Sequence, residues 1–538
     1  MTDQIAPAGG KVMPVAQAIA LAAEHQEAGR LAQAESICRQ ILAAKPDNPD
    51  ALHLLGIIAH AAGKAPLAVE LIGRAIAGDS RKALYHSNLA EIHRRHGRTE
   101  EALASARRAM VLEPGNPQVL NNFAIALYDH RDYARGEALL RKTVELHPKY
   151  AEAHSNLGNA IRAQHRREEA IAWYRRAIKL KPRFADALAN LGTTLKDLGE
   201  YAEAMACFDE AIAIDPKHGN ARSGRALVLL LQGDYANGLR EYEWRWHSSE
   251  MRPRNFVQPA WQGEALAGRR LLVHAEQGLG DTMQFCRYLP TLRDRGGSVI
   301  FEVQPGLLTF MAANFPWARV IPHGSLPPFD QQCPLLSLAR LSGTTPATIP
   351  ADVPYLLAEK AAAARWAARL DGRRLRVGFV WTGNPDHPND HNRSLPIEQL
   401  SPLFDLPDIS FCSLQTGPRA GDLGRLTNFG SGLDLSGELV DFAETAAVVA
   451  NLDLVVAVDT AVAHLAGAMG KPVWLMLPRA PDWRWMLERE DSPWYPTARL
   501  FRQPQAGDWD SVIARIAEDL RAVAGGDKEK LLPLPGAR

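Results

Sequence analysis

The chain has 538 residues, 46% of them hydrophobic, with Lys+Arg and Asp+Glu equal at 61 each. That length exceeds one ordinary core and implies roughly two to four domains, while zero net charge leaves no bulk positive field to hold nucleic acid or an anionic membrane. Cys38, Cys207, Cys286, Cys333 and Cys412 are scattered, odd in number and without paired metal-ligand spacing, so they read as reduced, buried thiols of a cytoplasmic protein.

In chain order, Lys11 and the apolar stretch 15–23, followed by Glu24 and His25, fit a first helix better than a signal peptide, and no apolar run reaches membrane-spanning length. One pattern of small and large apolar residues then recurs seven times. Pro46, Pro114, Pro148, Pro182 and Pro216 end successive units, the last four spaced 34 residues apart, with Ser80 in the phase that lacks a proline. Small residues keep step at Ala22, Gly56, Ala90, Ala124, Gly158, Gly192 and Ala226, and each is answered twelve residues later, from Ala34 through Ala68, Ala102, Gly136, Ala170 and Ala204 to Gly238. These are the places where paired helices touch. A helix-turn-helix unit of this length resembles the tetratricopeptide repeat, and such a stack implies a concave wall for a protein segment.

Two residues before the small residue, consecutive first helices carry Asn88, Asn122, Asn156 and Asn190. Asn costs on the order of half a kcal/mol per helical site relative to Ala, so the row needs a compensating use. A primary amide both donates and accepts, and two uses are open: docking the backbone of an acceptor peptide, or bonding to the neighbouring repeat and specifying the stack.

A partial repeat runs from Gly233 to Trp246, and Trp244 and Trp246 are expected to cover the exposed end of the stack. Beyond Gly268, short β-branched runs alternate with helical patterns, which predicts parallel sheets flanked by helices. Strands are predicted at 271–275, 299–303 and near 319–321 in a first lobe, and at 376–381, 409–414, 453–459 and 473–477 in a second. Two such lobes form a cleft at the carboxyl ends of their strands. A last helix over 511–523 is expected to cross back and tie them.

The sharpest local signal is 458–472, a strand, a tight turn and a helix that ends at glycine. A helix that begins near Thr460 aims free N–H groups and the positive end of its dipole at the cleft, which makes a seat for phosphate. Asp459 is placed to hold sugar or ribose hydroxyls, and His464, one turn inside, to reach a phosphate oxygen.

Asp459-Thr460, His464-Leu465-Ala466 and Gly470 through Pro472 are similar to the nucleotide-sugar motif of the heptosyltransferase-like glycosyltransferases, which have the two-lobed GT-B fold. Gly280-Asp281 with Pro290 resembles that family's first loop. A repeat array ahead of such a transferase also resembles, in architecture, the O-GlcNAc transferases and bacterial flagellin-modifying glycosyltransferases. The resemblance implies that Asp281 is the general base on the acceptor hydroxyl, in an acceptor loop shaped by Gly278 and Gly280. The residue type also fits a helix cap. It implies further that the 382–394 loop brings a basic residue to the leaving diphosphate. The family usually has lysine there; this chain has Arg393, which can still neutralise that charge bidentately.

Gln415, at a strand end, reads either as a contact to the base or ribose or as an ordinary polar turn. Trp483, Arg484 and Trp485 beside Asp482 fit a platform that stacks on a nucleotide or receives the acceptor, or plain packing. His387, Asp390 and His391 lack matching metal-ligand spacing, and Asp508-Trp509-Asp510 reads as a helix N-cap, so metal-independent chemistry is expected. The nucleotide sugar is a co-substrate, with no separate cofactor.

The expected fold is an all-α repeat array over 15–252, followed by an α/β GT-B pair with an acceptor-side lobe over 253–372, a nucleotide-side lobe over 373–525 and a flexible tail over 526–538. The expected function is inverting transfer of a sugar from a nucleotide donor to a protein side-chain hydroxyl, the array docking the acceptor; flagellin is the candidate that the architecture brings forward. A non-catalytic scaffold built on a degenerate transferase is the alternative, and a glycan or lipid-linked acceptor in surface polysaccharide synthesis is the second.

Overall fold

A computed structural model describes residues 4–5, 13–249, 251–370, 374–430 and 432–533; Lys11 and 534–538, the end of the expected tail, lie outside them. The chain divides into two compact units, Met1–Leu195 and Lys196–Arg538, a division that falls within the repeats.

In the first unit β1 (Gln4–Ile5) pairs antiparallel with β2 (Met13–Pro14), and helices follow in pairs. They are α1 (Val15–Glu27) with α2 (Leu31–Ala44), α3 (Pro49–Ala61) with α4 (Ala65–Gly78), α5 (Ala83–Arg95) with α6 (Thr99–Leu112), α7 (Pro117–Asp129) with α8 (Tyr133–Leu146), and α9 (Ala151–Arg162) with α10 (Arg167–Leu180). The next first helix, α11, spans Ala185–Leu198. Asn48 and Asn116 cap α3 and α7 from just ahead of a proline at the first helical position, where the missing N–H costs nothing. The small residues lie at helix crossings as expected. A Cβ on Gly56 would stand 2.6 Å from Ile72, one on Gly158 2.6 Å from Tyr174, and one on Gly136 3.4 Å from the Ala124 carbonyl.

The second unit opens with α12 (Tyr201–Ile214), α13 (Gly219–Leu231) and α14 (Tyr235–Tyr242). Two wholly parallel sheets follow. The first, of four strands, has the order β5-β4-β3-β6, from β3 (Arg270–His274), β4 (Ser298–Val303), β5 (Arg319–Pro322) and β6 (Gln331–Pro334). The second has six, in the order β12-β11-β10-β7-β8-β9, from β7 (Leu375–Val380), β8 (Ile409–Ser413), β9 (Leu433–Asp434), β10 (Leu454–Val458), β11 (Val473–Leu477) and β12 (Ala498–Arg502). The seven anticipated strands are present. β6, β9 and β12 were not anticipated, β6 because Gln331-Gln332-Cys333-Pro334 carries no β-branched run and pairs only because β3 offers it an edge.

Three expectations need correction. The last helix, Trp509–Ala524, does not bind the lobes together; its apolar face joins Val377, Phe379, Val456 and Trp474 on the second sheet. Part of the expected tail is structured, since Lys528–Leu531 form a turn of 3-10 helix whose Leu531 carbonyl accepts the Trp474 indole at 3.2 Å. At the end of the helices, Trp244 and Trp246 stay half-buried, and closure falls to Tyr235 and Tyr242, buried in one core with Phe285, Trp483 and Trp494. An alternating aromatic pattern marks cover for an apolar end, but which rings go deepest depends on the surface they meet.

Candidate active site

β7 and β10 are neighbours in the second sheet, and their carboxyl ends carry the loops of interest. After β10 the chain turns through Asp459 and Thr460, which is extended at φ −140°, ψ 169°, into the helix Ala461–Ala468. No side chain caps this helix, so its first N–H groups and its dipole are left for an anion. Residues 459–462 are half-buried: the corner is neither sealed nor fully open.

After β7, the 382–394 loop returns to the same corner. The Arg393 Nη1 donates to the Asp459 carbonyl at 2.9 Å, and Arg393 Nε lies 3.5 Å from Asp390 Oδ1. Ser394 Oγ ties the loop shut, donating to Asp390 Oδ1 at 2.8 Å and accepting from Gly383 N at 2.9 Å. Gly383 packs closely under the Arg393–Asp390 pair: a Cβ there would stand 2.5 Å from the Arg393 guanidinium and 2.6 Å from Asp390 Oδ1, so those side chains would have to shift. The buried Oγ1 atoms of Thr382 and Thr460, with Arg393 Nε, have no hydrogen-bond partner among the described residues. Unsatisfied donors of this kind beside an uncapped helix start are what a bound oxyanion would satisfy.

His464 is 4% exposed. Its Nδ1 pairs with the Tyr495 hydroxyl at 2.9 Å, its Nε2 lies 3.6 Å from Asp459 Oδ1, and its ring stacks on Trp485. Burial alone would push the Asp459 carboxyl up; His464 and the Arg393 charge beside it outweigh that and hold it below the usual carboxylate range. Asp459 is therefore a carboxylate beside His464. Of the two readings open for Gln415, its bonds are those of a structural polar turn. Its Oε1 accepts from Trp381 N and Thr382 N, and its Nε2 donates to the Thr416 carbonyl, so the amide fastens the end of β8 to the root of the 382–394 loop.

In the first lobe, β3 leads through Gln277 and the exposed Gly278 to the helix Leu279–Phe285. Asp281 Oδ2 accepts from Gly278 N at 2.8 Å, the capping role its residue type allows. Its Oδ1 is held by Arg484, which extends from the other lobe. Gly280 lies directly against His464 and Ala461, so this helix and the Ala461–Ala468 helix meet at a residue with no side chain. The loop start is anchored from behind. Gln277 Nε2 donates to the Tyr242 hydroxyl at 2.8 Å, and buried Arg245 pairs with Glu276 at 2.6 Å.

His387 stands exposed on the 382–394 loop. Desolvation, with the Arg393 charge added, lowers its pKa, and the charges of Asp482, Asp459 and Asp281 oppose the shift. Among the described residues no three His, Cys, Asp or Glu side chains come together as a metal site, and Asp508 caps the last helix through Ser511 N as expected.

In the first unit, the Asn row bonds from repeat to repeat. Asn88 Nδ2 meets His53 Nε2 at 2.9 Å, Asn122 Nδ2 donates to Ser87 Oγ at 3.0 Å, and Asn156 Nδ2 donates to Asn121 Oδ1 at 2.8 Å. All four amides, Asn190 included, are half-buried. Between docking and stacking, the stack takes the donors of three.

Residues 25–92, 86–118, 121–185 and 185–218 match tetratricopeptide repeat families, and residues 424–474 match glycosyltransferase family 9 (heptosyltransferase). The chain joins tetratricopeptide repeats to a family 9-like region. That region holds Asp459, Thr460 and His464 and leaves Asp281 and Arg393 outside. Protein FlbA of Caulobacter vibrioides is 28% identical over 317 residues, which are 53% of this chain and 52% of that one, so the chain spans about half the length of the curated relative it matches. The solved structure of PilF from Pseudomonas aeruginosa is 19% identical and covers 39% of this chain and 96% of that one, with a TM-score of 0.34. PilW, a type IV pilus biogenesis factor, is 18% identical and covers 39% and 97%, with a TM-score of 0.36. No helix among the described residues is long and apolar enough to cross a membrane.

The pairing of Arg484 with Asp281 is not legible in the sequence. A lone arginine between two tryptophans gives no sign of which carboxylate it will meet some two hundred residues away.

Proposed function

We propose that this protein transfers a sugar from a nucleotide-sugar donor to a side-chain hydroxyl of an acceptor protein docked on its repeats. The carrying observation is the convergence of Arg393, the unpartnered Thr382 and Thr460 hydroxyls and an uncapped helix start at the ends of two adjacent parallel strands, with Gly280, next to Asp281 in the other lobe, against Ala461 and His464 of that helix. In this reading the diphosphate lies against the helix start, and Asp459 holds a hydroxyl of the sugar or ribose. Asp281 takes the acceptor hydroxyl's proton as that oxygen bonds to the anomeric carbon, and the bond from that carbon to the diphosphate oxygen breaks. Arg393 and the helix dipole stabilise the charge left on the diphosphate. One base and a stabilised leaving group suffice for a single inverting displacement, without a metal ion. Five free cysteines, all buried, fit a reducing compartment such as the cytoplasm.

The capping bond at Asp281 and the internal partners of His464 and Gln415 favour the second reading, a non-catalytic scaffold. A panel of UDP, ADP, GDP and CMP sugars decides between them. The transferase reading expects one donor to raise the melting temperature and to be consumed with a candidate acceptor, in chelator, giving an anomer opposite to the donor's. A scaffold binds none or turns none over.

A further inference from the structure

We propose that Arg484 is the positioning residue for Asp281, orienting the carboxylate from the opposite lobe so that the base is assembled only when the two lobes are seated together. This rests on the transferase reading given above.

Arg484 sits on the turn Trp483–Trp485 that follows β11, and its side chain is 7% exposed. Its guanidinium has three partners. Nη2 meets Asp281 Oδ1, Nε donates to Gln284 Oε1 at 2.6 Å, and Nη1 donates to Asp482 Oδ1 at 2.8 Å. Asp281 and Gln284 are three apart on one helix and so share a face, which one planar fork can grip at two points; an ammonium, a point charge, cannot reproduce that. With Gly278 N on its other oxygen, Asp281 loses its rotational freedom. Each carboxylate oxygen that accepts one hydrogen bond keeps a second lone pair for a hydroxyl proton.

The turn that carries Arg484 is itself constrained. Met486, the residue after it, has φ 54° and ψ −169°, a region populated almost only by glycine. Arg502 holds the strained turn by donating to the Trp485 carbonyl at 2.6 Å and to the Arg489 carbonyl at 2.8 Å. Trp483 is packed against Tyr235 and Tyr242 of the last helix pair, the same Tyr242 whose hydroxyl takes Gln277 ahead of the Asp281 loop. One aromatic cluster thus backs both partners of the Arg484–Asp281 contact.

The test uses the full chain with a donor that the wild-type protein turns over. R484Q is expected to lower kcat about 10²-fold, the scale of a misplaced reacting group, with the donor KM within about threefold. R484K, which keeps charge without the fork, is expected to lose at least about tenfold. In the background of D281N, R484Q is expected to add nothing, because the two residues act as a unit. R484A is expected to regain kcat when ethylguanidinium is supplied. A kcat for R484Q within threefold of wild type, or losses that multiply in the double variant, would overturn the proposal and leave the transferase reading standing. If R484Q does not fold, R484K decides, and full activity in it overturns the proposal. A wild-type protein that turns over no donor removes the transferase reading and this proposal together.

Discussion

Gly280 lies so close to His464 that a Cβ built on it would stand 2.6 Å from Cδ2 of the imidazole and 3.4 Å from the Ala461 Cα. His464 cannot yield, being pinned by Tyr495 and stacked on Trp485. Gly280→Ala should therefore destabilise the second unit by about 1–3 kcal/mol, as overpacking does elsewhere, and weaken donor binding at the corner it distorts. Urea unfolding followed by tryptophan fluorescence measures the first, and calorimetric titration the second.

Asp281→Asn removes the proposed base while keeping the shape. Because Arg484 retains Asp482, the fold should hold, and kcat should fall about 10²–10⁴-fold with donor affinity little changed. Near-normal turnover would assign Asp281 to capping alone.

The Asn row is tested by stability and affinity together. Asn122→Ala and Asn156→Ala each remove a hydrogen bond between repeats, a loss of about 1 kcal/mol that Ala's better helix propensity offsets by about half. Small destabilisation with unchanged acceptor affinity in the fourfold Ala variant would make the row a stacking device. A tenfold loss of affinity would restore a docking role for its carbonyl oxygens.

Stability should fall in mild acid. Burial pushes His53 and His274 down to about 4, from an ordinary value of 6.5. A depressed histidine binds fewer protons folded than unfolded, so its contribution is complete above about 6.5 and is lost as pH drops toward about 4, at a limit of roughly 1.4 kcal/mol per pH unit per group. Urea midpoints between pH 7.5 and 4.5 should trace this decline, and His274→Gln should flatten the slope of the second unit.

Helix pairs, crossing points and the strand-turn-helix at Asp459 and Thr460 were legible in the sequence because each is a local rule repeated or sharply punctuated. A period of 34 with small residues at fixed phase has one economical packing, and a buried run ending in a polar turn before a helix has one direction. Seven strands followed from the same logic. β6 did not, since a strand with no β-branched run exists only through the neighbour it pairs with.

Side-chain roles divided differently. The sequence determined which groups the strand ends carry, among them Asp281, Arg393, Asp459 and His464. Only the tertiary structure decided what those groups face: His464 turned to Asp459 and Tyr495, Gln415 spent on backbone, three Asn amides on neighbouring repeats, and Arg484 on Asp281 from the other lobe. The reason is physical. Periodicity records where a residue lies on its own element, whereas a hydrogen bond or ion pair is fixed by two elements at once, and the distance between them is set by packing that no single segment encodes.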